Sequence, residues 1–122
     1  MALPLVLMAV TFVLSAQPFD GGDLAWWEVL GRKLGHVTGY MLLALAWMWA
    51  LEPYVRRPIL PGALLAFAYA CSDEYHQTFV DGRTGTVRDV GIDTIGIAIA
   101  IGIALVVRSR RTPLRRAAEE PA

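Results

Sequence analysis

Four apolar runs alternate with short polar segments along the chain. The first, Met1 to Leu14, has no Lys or Arg and closes at Ser15-Ala16-Gln17-Pro18. The second, Lys33 to Leu51, is rich in Leu, Ala, Met and Trp and stops at Glu52-Pro53. The third opens at Ile59, after the turn Arg56-Arg57-Pro58, and stays uncharged to Cys71. Pro61 falls in its first turn, where a missing N–H costs a helix little. The fourth runs from about Arg88 to Val107, with Gly96 and Ala100 spaced for close helix contact. Each run predicts a helix, and Pro18 ends the first. Between the first two, Phe19 to Arg32 holds Trp26-Trp27, an interfacial belt or a short amphipathic surface helix.

These runs are short for membrane helices. Crossing a hydrocarbon core takes roughly 20 residues, but Gly35–Leu51 has seventeen uncharged residues, Ile59–Ser72 fourteen and Thr94–Val107 fourteen. To span, each helix must absorb polar residues at one end: Lys33 and His36 in the second, Asp73, Glu74 and Gln77 in the third, Asp89 and Asp93 in the fourth. An up-and-down order puts the termini and the Glu52–Pro58 turn on one side, with seven basic and three acidic residues. The other side has four basic and eight acidic residues, counting Asp93 with it. By the positive-inside rule the basic side is cytoplasmic. The polar helix ends therefore all lie toward the outer face.

Composition agrees. The chain has 122 residues, 56% of them apolar, and a mean hydropathy of +0.47, which favours a single membrane domain over a soluble one. Five of the eleven basic residues lie in the last fifteen positions, directly after an apolar run, where arginines set topology and meet anionic lipid; nucleic acid is a poor partner. The lone Cys71 excludes an intrachain disulfide. A membrane helix over Met1–Ala16 is preferred to a cleaved signal peptide because the basic leading region is missing. The expected fold is an all-α membrane protein, a bundle of four transmembrane helices with both termini cytoplasmic. Residues 1–107 form the domain, and 108–122 a basic cytoplasmic tail of partly disordered composition.

The polar residues sit on stripes. Lys33, His36 and Tyr40 share one helical face, Asp73 and Gln77 another with Glu74 beside them, and Asp89, Asp93 and Gly96 a third. Ionised groups at this depth are costly toward lipid, so the stripes should face one another. His36, Asp73, Glu74 and Asp89 are the candidate acid–base residues; Ser15, Gln17, Lys33, Tyr40, Gln77, Arg83, Arg88 and Asp93 are the candidate ligand-binding ones. Plainer roles stand beside these: Lys33 as the structural counter-charge of Asp73 or Glu74, His36 as a packed, hydrogen-bonded core residue, and Asp81-Gly82 as a turn. One His with several carboxylates could hold a hard cation, but H-x-x-x-H, E-x-x-H and cysteine pairs are absent, so no metal and no cofactor is assigned.

Taken together, S-x-Q at Ser15 and Gln17, K-x-x-H-x-x-x-Y at Lys33, His36 and Tyr40, and D-E-x-x-Q-x-F-x-x-G-R-x-G-x-x-x-D-x-x-x-D-x-x-G from Asp73 to Gly96 resemble the VanZ-like family of small bacterial membrane proteins. The family often carries Pro where Asp81 stands and Asn where Asp93 stands. It takes its name from a protein associated with low-level resistance to teicoplanin, a glycopeptide acting on cell-wall precursors outside the membrane. The resemblance implies a multi-pass protein of the bacterial inner membrane with a role in the cell envelope.

Three functions are expected from these features. The first is binding or modification of a lipid-linked or phosphate-bearing envelope ligand at the outer leaflet. The second is a proton-linked carrier using Glu74, Asp89, Asp93 and His36 as a relay. The third is a structural or partner-binding role, with Gly96 and Ala100 as an oligomer face.

Overall fold

The structure is a computed structural model and describes residues 1–16, 25–80 and 86–120. Its described residues form four helices and no strand: α1 (Ala2–Ser15), α2 (Trp26–Leu51), α3 (Ile59–Gln77) and α4 (Val87–Glu119). Helix α2 packs along α4 and α3, α3 also packs on α4, and α1 lies outside this trio against α2 and α3.

Two boundaries differ from the sequence expectation. Helix α2 starts at Trp26, seven residues before Lys33, because Glu28 folds back and its Oε2 accepts the Ala25 backbone N–H at 2.9 Å. The tail expected to be partly disordered continues α4 as an exposed helix to Glu119. Leu114, Arg115, Arg116 and Ala117 are strong helix formers, and Arg115 pairs with Glu119 one turn on at 2.8 Å.

The core is built from small residues. Ala44, Ala66, Ala70 and Ala100 are fully enclosed around Tyr40 and Leu43, so the helix axes come close. Two glycines set the approach. A Cβ on Gly62 would lie 2.8 Å from the backbone nitrogen of Met48 on α2. A Cβ on Gly96 would meet the carbonyl oxygen of Val37 and stand 3.1 Å from the Met41 nitrogen. The Gly96 and Ala100 face, expected to serve an oligomer contact, is thus buried within the chain, Gly96 directly against α2.

The outside is apolar. Leu5, Phe12, Leu14, Leu60, Leu64, Phe67, Ile95, Ile99 and Leu105 are all exposed, and an apolar surface of this extent marks a lipid-facing one. Helices α2 and α4 are long and apolar enough to cross a membrane, with only 33% and 22% of their most apolar stretches buried. The core helix of a soluble protein would be largely enclosed. Helix α1 is shorter, 14 residues or about 21 Å at roughly 1.5 Å per residue.

Candidate functional site: a carboxylate cluster at one end of the bundle

Among the described residues, the buried polar side chains are Ser15, Asp73, Glu74, Gln77 and Asp93, and the elements bring them to one end. Ser15 is the last residue of α1; Asp73, Glu74 and Gln77 lie in the final turns of α3; Asp93 is two turns into α4. His36 and Tyr40 reach them from α2. Beyond this level the core is apolar, from Leu43 and Ala44 to Met48 and Ala63.

Asp73 is the hub. Its Oδ2 accepts two hydrogen bonds, from Ser15 Oγ at 2.9 Å and from Tyr40 OH at 3.0 Å. Hydrogen bonds to a charged group contribute about 1.5–3 kcal/mol each, so this oxygen fastens α1 and α2 to α3. Asp93 is fully buried and its Oδ1 accepts from His36 Nδ1 at 2.9 Å, which ties α4 to α2 and fixes the imidazole plane. Tyr40 in turn stacks near His36 and Tyr69, with ring centroids 6.3 Å apart in both cases.

Not every polar atom is matched. Asp73 Oδ1, both carboxylate oxygens of Glu74, Asp93 Oδ2 and Gln77 Nε2 are buried with no hydrogen-bond partner among the described residues. The backbone N–H of Thr86 is directed at Glu74. An ionised carboxylate exposed to hydrocarbon costs at least about 2.5–3.5 kcal/mol, and the cost stays large wherever no partner compensates it. Among the described residues, the charge of these carboxylates is therefore not fully compensated.

Beside it runs a cleft of about 630 Å³ along α1 and α2. Its walls include Leu7, Val10, Leu14, Leu34 and Leu42, with Thr11 and Thr38 among them; Ser15, Arg32, His36 and Tyr40 line it as well. Gly35 and Gly39 also line it, and a Cβ at either would meet nothing within 4 Å. A ligand pocket typically measures about 300–1,000 Å³. This one is suited to an apolar chain ending in a polar head.

Of the twelve residues singled out by spacing, six meet in direct contact or within the cluster: Ser15, His36, Tyr40, Asp73, Glu74 and Asp93. Gln77 is buried alongside them. Three sit differently. Lys33 is half-buried and forms no ion pair among the described residues, so the structural pairing with Asp73 or Glu74 is not made. Arg88 is exposed at the start of α4, and Asp89 accepts from Thr86 Oγ1 at 2.9 Å while its N–H binds that same hydroxyl. This is a helix cap, and it occupies Asp89 locally. Gln17 and Arg83 lie outside the described residues. Tyr69 was not singled out; its OH donates to the Met8 carbonyl at 2.6 Å and holds α1 to α3. Its place four residues before Asp73, on the same face, was the available signal.

Fold and cluster together define an all-helical membrane protein with a buried acid–base cluster at one end. The chain matches the VanZ/LLP1 family model over residues 1–108 and belongs to that family. It is also similar to the uncharacterized membrane protein YwnJ of Bacillus subtilis (strain 168), with 29% identity over 92 residues, 75% of this chain and 61% of that protein. The chain thus spans about three-fifths of that relative's length. No solved structure matches it.

Proposed function

We propose that the chain is a cell-envelope protein of the bacterial inner membrane that binds an amphipathic ligand carrying an anionic head, a lipid-linked or phosphate-bearing molecule, at the outer leaflet. In this reading all four helices lie in the membrane, with both termini and the arginine tail on the cytoplasmic side. Residues 1–107 form the membrane domain and 108–122 the cytoplasmic tail. The cleft between α1 and α2 carries the proposal. Its apolar walls accept an acyl or prenyl chain, and Arg32, Ser15 and His36 stand where the head group would lie. Arginine suits phosphate through its planar fork of donors. His36, oriented by Asp93, lines the polar end of this cleft. The further step, a link to teicoplanin-type resistance, rests on the family name alone.

A transmembrane proton relay is less well supported. Ser15, Asp73, Glu74, Gln77 and Asp93 occupy one end, and the opposite half of the core is Leu, Ala, Met and Ile.

Filling the cleft tests this reading. Gly39→Leu adds a side chain where nothing stands within 4 Å, so it should leave the fold intact. The wild-type protein, extracted in mild detergent, should retain a lipid anion in its native mass spectrum, and Gly39→Leu should lose it. Arg32→Ala should weaken retention. Equal lipid occupancy in wild type and Gly39→Leu would refute the cleft as the binding site.

A further inference from the structure

We infer that His36, Asp73 and Glu74 bind one divalent metal ion. The inference goes beyond the lipid-ligand reading and does not depend on it, because it rests on the carboxylate cluster and not on the cleft.

One ring nitrogen of His36 and one carboxylate oxygen each from Asp73 and Glu74 all lie within 4.8 Å of one another. Adjacent ligands of a single cation, held at roughly 2.0–2.5 Å, stand about 3–4 Å apart and opposite ones about 4–5 Å. The three atoms can therefore share one ion with only small side-chain closure.

The hydrogen bonds already made leave one oxygen of Asp73 and both of Glu74 unmatched among the described residues. Ser15 and Tyr40 both donate to Oδ2 of Asp73, leaving Oδ1 buried and unmatched. Glu74 is 4% exposed and has neither oxygen matched; Asp73 is 2% exposed. Apart from the Thr86 N–H beside Glu74, nothing among the described residues donates to these oxygens. Neither Lys33 nor Arg88 forms an ion pair with either carboxylate. A cation of charge two would neutralise both, and neutrality matters most where the surroundings are apolar.

The ligands are also supported from behind. His36 Nδ1 is held by the Asp93 carboxylate at 2.9 Å. With the proton on Nδ1, Nε2 keeps the lone pair that a metal requires, and a carboxylate behind a histidine is the usual support of such a ligand. Ser15 and Tyr40 hold Asp73 in the same way. One imidazole with two carboxylates suits an ion of intermediate hardness such as Mn²⁺ or Zn²⁺. Thiolate is absent from the set, since Cys71 is exposed.

The competing occupant is the proton. A metal titration separates the two. The full chain, purified in detergent and stripped with chelator, is titrated with Mn²⁺ alone, without added lipid, and free Mn²⁺ is followed by electron paramagnetic resonance. One equivalent should bind. Glu74→Gln and Asp73→Asn, if helical by circular dichroism, should lose that site, Asp93→Asn should weaken it by about 10–100-fold, and Glu52→Gln at the far end should bind as wild type.

A second measurement needs no variant to fold. The chain has two histidines, His36 and His76, so ¹⁵N-histidine spectra of the wild-type protein are simple. Zn²⁺ should shift one imidazole and leave the other. Binding that persists at one equivalent in Glu74→Gln, a spectrum in which neither histidine moves, or a wild-type protein that takes up no metal and shows protonated-carboxyl infrared bands would each overturn the inference. Because no lipid is added in either measurement, failure to bind metal would leave the cleft reading standing.

Discussion

Replacing Gly96 by alanine should separate α2 from α4 at the level of the cluster. The added Cβ would meet the Val37 carbonyl oxygen and lie 3.0 Å from the Val37 carbonyl carbon. These are backbone atoms, so no rotamer change can relieve the contact and a helix must shift. Overpacking a close-packed interior costs typically about 1–3 kcal/mol, and a backbone collision belongs at the upper end, near 2–3 kcal/mol. Gly102 on the same helix gives the comparison, because a Cβ there meets nothing within 4 Å. Gly102→Ala should be neutral or, through helix propensity, stabilising by up to about 1 kcal/mol. At roughly 4–8 °C per kcal/mol, Gly96→Ala should lower the thermal midpoint in detergent by about 10 °C. Asp93 lies one turn from Gly96, so the shift should also lengthen its contact to His36 and weaken Mn²⁺ binding. A Gly96→Ala protein as stable as Gly102→Ala would refute the close approach of α2 and α4.

Other contacts can be tested by single substitutions. Ser15→Ala and Tyr40→Phe each remove a donor to Asp73 Oδ2, and each should cost about 1.5–3 kcal/mol. Because both act on one oxygen, the double variant measured by thermal or denaturant unfolding should cost less or more than the sum, not equal it. Tyr69→Phe deletes the bond to the Met8 carbonyl, and α1 should become more readily cleaved by protease in detergent while the helical content of α2 to α4 is kept. Lys33→Ala, at a half-buried residue with no ion pair among the described residues, should change the unfolding free energy by less than about 0.5 kcal/mol.

The features legible in the chain and those hidden in it divide along a physical line. The stripes were legible because helical spacing fixes which side chains share a face: His36 with Tyr40, and Asp93 with Gly96, could hardly point anywhere but inward at membrane depth. Short uncharged runs forced Asp73 and Asp93 below the surface, and the structure buries both. Pairing was not legible. Whether Lys33 reaches Asp73 depends on a rotamer and on local helix rotation, which spacing does not specify; Ser15 and Tyr40 take that carboxylate instead. Nor was Asp89 distinguishable from Asp93 by spacing, although one caps a helix end and the other is enclosed. The early start of α2 turned on Glu28 bonding the Ala25 N–H, which leaves no trace in an apolar count. The helical tail came from propensity, which a composition rich in Arg, Glu and Pro concealed. The small-residue spacing of α4 predicts close helix contact, and Gly96 packs against α2.

Everything proposed for the site depends on the four helices bringing their polar ends together, and proximity across the bundle can be measured in the membrane. With Cys71 replaced by serine, paired cysteines at positions 15 and 73, and at 36 and 93, can be treated in native vesicles with a short bifunctional thiol reagent and scored by a protease cut engineered between the helices. Cross-linking of both pairs, with none for a control pair at positions 15 and 107, is the predicted result. Failure of the 36 and 93 pair while the protein remains inserted and helical would mean that α2 and α4 do not meet there, and no pocket of these residues would exist.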